Sequence, residues 1–302
     1  MEVDSPISYL ERFPPELQDR IMDSCDMRTM TALSKTSKLW DRKRYKCIYH
    51  RVIDILKYFR LDPLPFLEFL TRTKSVISGS AALLVFCPGL FIPGDLDIYC
   101  ADGMLEQVVD YFTTFTEYCE PEERPTGEEL AKDVEYEAWV FSESHLSKVL
   151  KLSCSPPPGS EDMRPRLVNI IAVRRIPTVS AISHFHSTPV MNIITGTGAV
   201  CVYPELTLYM RGVINTERQS MASTEKFNNC LNKYRERGFD LAMTLGKWPG
   251  MRHDFVRAKP LKNIPVCAIT FPKGTEERPL REGAMDRDLW NLEWELSEWA
   301  TE

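Results

Sequence analysis

Apolar positions along this chain fall first into a helical period and then into short β runs. Between residues 7 and 40, Leu17, Ile21, Met27, Met30 and Leu33 recur at spacings that predict a compact set of packed helices. Pro14 and Pro15 open the first helix, where the backbone amides have no intrahelical partner to lose. Asp26 is positioned to cap the second. Residues 42–60 predict a longer helix, with Ile48, Val52, Ile55, Leu56 and Phe59 as its apolar stripe. Lys43, Arg44, Lys46, Arg51 and Lys57 make that helix basic, and we read them as a solvated face opposite a packed one. The Asp62-Pro63 and Leu64-Pro65 pairs break it, and residues 66–72 form one more short helix.

The pattern then changes. Residues 76–78 predict a short buried strand, Gly79 a turn, residues 80–86 a helix and residues 95–100 a second strand. An amphipathic helix follows over 104–115, with Leu105, Val108, Val109 and Phe112 on one face. Residues 120–132 are charged and punctuated, hence a loop, and 139–142 and 148–153 read as strands. A Pro-rich loop over 155–166 leads into the β run of 167–173. Residues 178–186 predict a helix, and 190–194 and 199–203 flank Thr-Gly-Thr-Gly as a hairpin. A helix begins at 204–211, and another over 226–237 is closed by Gly238. The segment 246–279 is rich in Pro and Gly with one strand-like run, 266–271, and 286–299 predicts an acidic helix whose Trp residues seal against the body.

Composition narrows the classes. A length of 302 residues suits one large or two smaller domains, and 43% hydrophobic residues allow a sizeable core. No apolar run approaches the roughly 18 residues of a membrane span. The acidic N-terminus lacks the apolar stretch of a secretory signal, so a cytoplasmic or nuclear location is expected, with no membrane partner. A net charge of −6 gives no strong nucleic-acid signal. The nine cysteines are scattered without a C-x-x-C pair, which points to free thiols rather than a disulfide framework or zinc site. His184 and His186, two apart on a predicted helix, face different ways and make a poor metal pair.

The chemistry gathers at residues 75–100. Side chains two apart on a strand share a face, so Asp95 and Asp97 project together while Leu96 and Ile98 point into the core. Adjacent carboxylates repel unless a cation neutralises them, and a hard divalent ion such as magnesium suits oxygen ligands. Gly79 allows close backbone approach, and the helix start at Ser80 favours a phosphate. Gly-Ser followed by an Asp-x-Asp strand resembles the nucleotidyltransferase superfamily of the DNA polymerase β type. That resemblance implies Gly79 and Ser80 as binders of a nucleotide triphosphate, and Asp95 and Asp97 as catalytic ligands of Mg²⁺. It also implies a third carboxylate on a later strand. In 167–173 the residue in register is Asn169, a substrate-binding candidate whose amide oxygen can still ligate magnesium but brings no charge, so nucleotide or metal binding is expected to survive better than transfer.

The stretch from Phe13 to Trp40 resembles an F-box, with Pro14, Glu16, Leu17, Ile21, Leu33 and Trp40 matching and Phe13 and Cys25 departing from the pattern. The resemblance implies docking on a Skp-type adaptor of a cullin ubiquitin ligase through Pro14, Leu17, Ile21 and Leu33. The equal alternative is a helical cap packed on the chain. Residues 10–240 are also similar to fungal proteins that join an F-box-like head to a nucleotidyltransferase-like body. The expected fold is therefore α+β: an F-box-like helical head over 1–45, a nucleotidyltransferase-type mixed sheet flanked by helices over 46–240, and an extension over 241–302 packed on the body. Two functions follow: a nucleotidyltransferase-fold protein, intact or degenerate, that binds nucleotide triphosphate and divalent metal, or an F-box substrate adaptor whose body is a noncatalytic binding module. A scaffold without ligand has no need of paired carboxylates.

Overall fold

The computed structural model describes residues 9–120, 145–215, 224–248, 259–260, 267–271 and 293–294. The expected strand 139–142 and most of the loop 120–132 lie outside them.

The N-terminal helices start where the sequence places their caps. Helix α1 (Pro15–Ser24) follows Pro14, and α2 (Met27–Ser34) follows Asp26, whose side chain accepts from the Thr29 amide at 2.7 Å. Helix α3 (Lys38–Tyr58) starts at Ser37, which accepts from the Trp40 amide. Helix α4 (Pro63–Thr73) takes Pro63 in its first turn and ends on Lys74 with a left-handed φ of 52°. The division expected at residue 45 falls inside α3, which runs through it unbroken. Trp40, Ile48, Val52 and Leu56 of α3 share one apolar core with Met22 and Met30.

The basic face of α3 differs from its expected solvated role. Lys43 is buried against Asp19 at 2.5 Å, and Arg51 donates to the Val85 and Cys25 carbonyls at 3.1 and 3.0 Å. A buried cation needs such partners, and the long stems let these side chains cross apolar surface to reach them. Lys46 and Lys57 do stay in solvent.

The body is built on seven strands: β1 (Val76–Ser78), β2 (Asp95–Ala101), β3 (Leu146–Cys154), β4 (Arg166–Val173), β5 (Asn192–Ile194), β6 (Gly198–Cys201) and β10 (Cys267–Thr270). Their order is β10-β6-β5-β1-β2-β4-β3. Only the β2–β4 pair is parallel, so the sheet is mixed and the fold class α+β. Helices α5 (Gly79–Phe86) and α6 (Leu105–Phe115) share one core with α3, Leu96, Ile98, Val168 and Ile170. On the other face a second core gathers Tyr99, Ile171, Val173, Met191 and Val200. The inward and outward positions of β2 and β4 thus alternate as a two-residue period requires.

Several expected elements change form. No separate turn divides β1 from its helix: α5 begins on Gly79 itself, at a φ of +70°. The helix expected over 178–186 is a 3-10 helix, Thr178–His184, and leaves His186 outside. The helix expected over 204–211 is only α7 (Pro204–Thr207), because the chain turns into β7 (Arg211–Val213), parallel to β8 (Asp240–Ala242). Helix α8 (Thr224–Glu236) is closed by Gly238 at a φ of +90°. Within the expected helix 286–299, the described pair β11 (Glu293–Trp294) is extended and bonds to β9 (Lys259–Pro260). Pairing with a partner strand outweighs the local helical period there. No helix among the described residues is long and apolar enough to cross a membrane.

Candidate functional site

The alternation of β2 and β4 sets the floor of a cavity of about 280 Å³. Gly79, Ser80, Asp95, Asp97 and Asn169, drawn from β1–α5, β2 and β4, all line it. The five candidate residues of the body therefore converge in one place.

Register explains the convergence. Asp97 pairs with Asn169 across the parallel β2–β4 ladder, and Asn169 pairs with Lys151 across β4–β3. Directly paired residues share a face, so Asp97, Asn169 and Lys151 form one polar row. The next row on the same face, two residues along, is Tyr99, Ile171 and Val149. The cavity floor is thus polar at one end and apolar at the other.

The carboxylates are half-buried and bridged by an amide. Asn169 Nδ2 donates to Asp95 Oδ2 at 3.2 Å and to Asp97 Oδ1 at 2.8 Å. Burial, and next the Asp95 charge, push the Asp97 carboxyl up to about 7, while the Asn169 bond and the Lys233 charge hold it from rising further. Near neutral pH the Asp97 carboxyl therefore carries a proton part of the time.

Gly79 is required by its surroundings. Its φ lies in the left-handed region, and a Cβ there would run into Asp97 Oδ2. The start of α5 is thereby pressed against the acidic pair, and Ser78 offers no side-chain cap because its hydroxyl donates to the Asn192 carbonyl at 2.6 Å. Ser80 is only 5% exposed, and its hydroxyl has no hydrogen-bond partner among the described residues. A buried hydroxyl without a partner costs free energy until something binds it.

The cavity holds groups the sequence did not assemble. Helix α8 turns Lys226, Cys230 and Lys233 toward it, at the spacing of one helical face, while Phe227 and Tyr234 also reach the first core. His145, His184 and His186 all line it. The two histidines expected to face apart are brought to one cavity because the chain between them leaves the 3-10 helix. Burial, and next the Lys233 charge, push His186 down to about 4, and its Nδ1 lies 2.8 Å from Ser187 Oγ. At the apolar end, Tyr99 and Phe185 rings are 5.8 Å apart and His145 and His184 rings 6.1 Å. Lysine at a sheet edge, as at Lys151, is so common that its sequence position alone gave no signal. Among the described residues no group of three His, Cys, Asp or Glu side chains is arranged to hold a metal ion.

The partner-facing candidates lie elsewhere. Pro14 and Leu17 are exposed on and before α1, whereas Ile21 and Leu33 are half-buried against the core. Tyr9, Leu10 and Phe13 are exposed beside them.

Compared with known proteins, the chain matches no family model, no curated protein and no solved structure.

Proposed function

We propose that the cavity binds a nucleoside triphosphate, in a body of nucleotidyltransferase type that transfers its nucleotidyl group slowly or not at all. The observation that carries this reading is the pair of adjoining rows on the cavity floor. Tyr99–Ile171–Val149 offers a flat apolar surface, and Asp97–Asn169–Lys151 offers polar groups about 7 Å away along the strands. A ring joined to a phosphate through a sugar presents its two ends in that order. Phe185 and the His145–His184 pair face the ring end. The unpartnered Ser80 hydroxyl, the start of α5 and the α8 lysines supply the phosphate end. A magnesium ion at Asp95 and Asp97 would have two carboxylates and, among the described residues, no third. Where the resemblance expects the third carboxylate, the described residue in register is Asn169, whose amide cannot take a proton from an acceptor hydroxyl, which is the reason for slow transfer.

The test is a thermal-shift and calorimetric titration with ATP, GTP, CTP and UTP. We expect at least one to bind, and Lys233→Ala together with Lys151→Ala to abolish that binding. Absence of binding by all four would remove this reading.

A second reading has its own support. Pro14 and Leu17, with Leu10 and Phe13, make an exposed apolar surface around the start of α1, the kind of surface an F-box presents to a Skp-type adaptor. In that case residues 1–45 act as the docking head and the body as the module that holds a target. Co-purification with such an adaptor, lost on Leu17→Asp, is the expected result. Unchanged capture by the variant would count against it.

A further inference from the structure

We infer that, granted the nucleotide reading above on which this rests, the cavity takes the phosphate chain as a free anion, without a divalent cation. The donor set does not fit a pair of magnesium ions. Two-metal sites use carboxylates shared between ions roughly 4 Å apart, and magnesium demands a near-octahedral set of oxygens. Here Asn169 stands in register beside Asp97, and its amide nitrogen donates to both Asp95 and Asp97. The positive end of the amide dipole thus occupies the space between the carboxylates that a cation would take. In the metal-free protein the nitrogen is the end that belongs there, because turning the amide around would set a third lone-pair oxygen against two carboxylates.

Asn169 satisfies the acidic pair, and the phosphates find their positive charge elsewhere. Lys151 adjoins Asn169 in the same row. Lys226 and Lys233 are seven residues apart on α8, about 10 Å along its axis, a span suited to a chain of phosphates rather than to one. Ser80 lines the same cavity, and its buried hydroxyl is engaged by no described group. Lysine acts on phosphate as a point charge and needs no bridging ion. The division of labour is then complete: an amide quiets the acids, and ammonium groups hold the ligand.

The experiment compares calorimetric titrations of the full chain with each of ATP, GTP, CTP and UTP, in excess EDTA and in excess magnesium chloride. We expect the nucleotide that binds to do so in EDTA within about threefold of its affinity in magnesium. Magnesium chloride alone should leave the melting temperature unchanged. Asn169→Asp restores the third carboxylate, and in it binding should become about tenfold or more tighter with magnesium than with EDTA. Wild-type binding that appears only with magnesium would overturn this inference and leave the nucleotide reading intact. Failure of all four nucleotides in both buffers would overturn the nucleotide reading, and this inference with it. The wild-type comparison decides the matter even if Asn169→Asp does not fold.

Discussion

On β2, Leu96 and Ile98 are fully buried in the core shared with α3 and α5, while Asp95 and Asp97, one step off in register, are half-buried at the cavity. The two faces of this sheet are made by the same strands and differ only in which alternate residues they present. One face is closed by helices and holds the fold together. The other is left partly open, and there the sequence spends polar side chains that cost stability. Asp97 repels Asp95, Ser80 keeps a buried hydroxyl that has no partner among the described residues, and Gly79 accepts a left-handed backbone. Such local costs, set beside a closed core of ordinary quality, support the proposal that the open face takes a ligand.

The contrast can be broken most severely on the closed face. Ile98→Ala removes a side chain with no exposed surface, and should cost about 2–5 kcal/mol in denaturant unfolding. Gly79→Ala, at the seam between the faces, combines a left-handed φ with a collision against Asp97, and should cost about 1–3 kcal/mol. A neutral result for Gly79→Ala would mean that α5 does not press on the acidic pair.

The open face should show itself in pH dependence. The Asp97 carboxyl is raised from 3.8 to about 7. The folded state therefore binds more protons than the unfolded chain between those values, and stability falls as pH rises through them. Asp97→Asn should remove that fall, so that the variant equals the wild type at low pH and exceeds it above pH 7. His186, pushed down from 6.5 to about 4, has the opposite slope: the unfolded chain takes its proton first, and stability falls as pH drops through that window. His186→Gln should lessen the loss on the acid side. Melting temperatures across the pH range separate the two contributions.

The smallest expected effect has the opposite sign from the first. Ser80→Ala deletes a buried hydroxyl that has no described partner, and should raise the stability of the free protein by about 1 kcal/mol. The same variant should bind nucleotide more weakly than the wild type. A loss of stability instead would show that the hydroxyl is engaged in the free protein.

The sequence alone determined what is local. Spacing gave α1 through α6 to within a few residues, Asp26 declared itself as a cap, and the period of two in β2 assigned Asp95 and Asp97 to one face. For the run 167–173, alternation fixes only which residues share a face; Asn169 was set in register with the acids by the family resemblance, and the parallel β2–β4 ladder pairs it with Asp97. Only the tertiary structure decided that Lys151 adjoins Asn169, that α8 aims Lys226 and Lys233 at the same cavity, and that His145, His184 and His186 meet there. Those residues come from separate elements whose meeting depends on strand order and on long-range packing. No local pattern of apolar and polar positions encodes which distant surface a charged side chain will face.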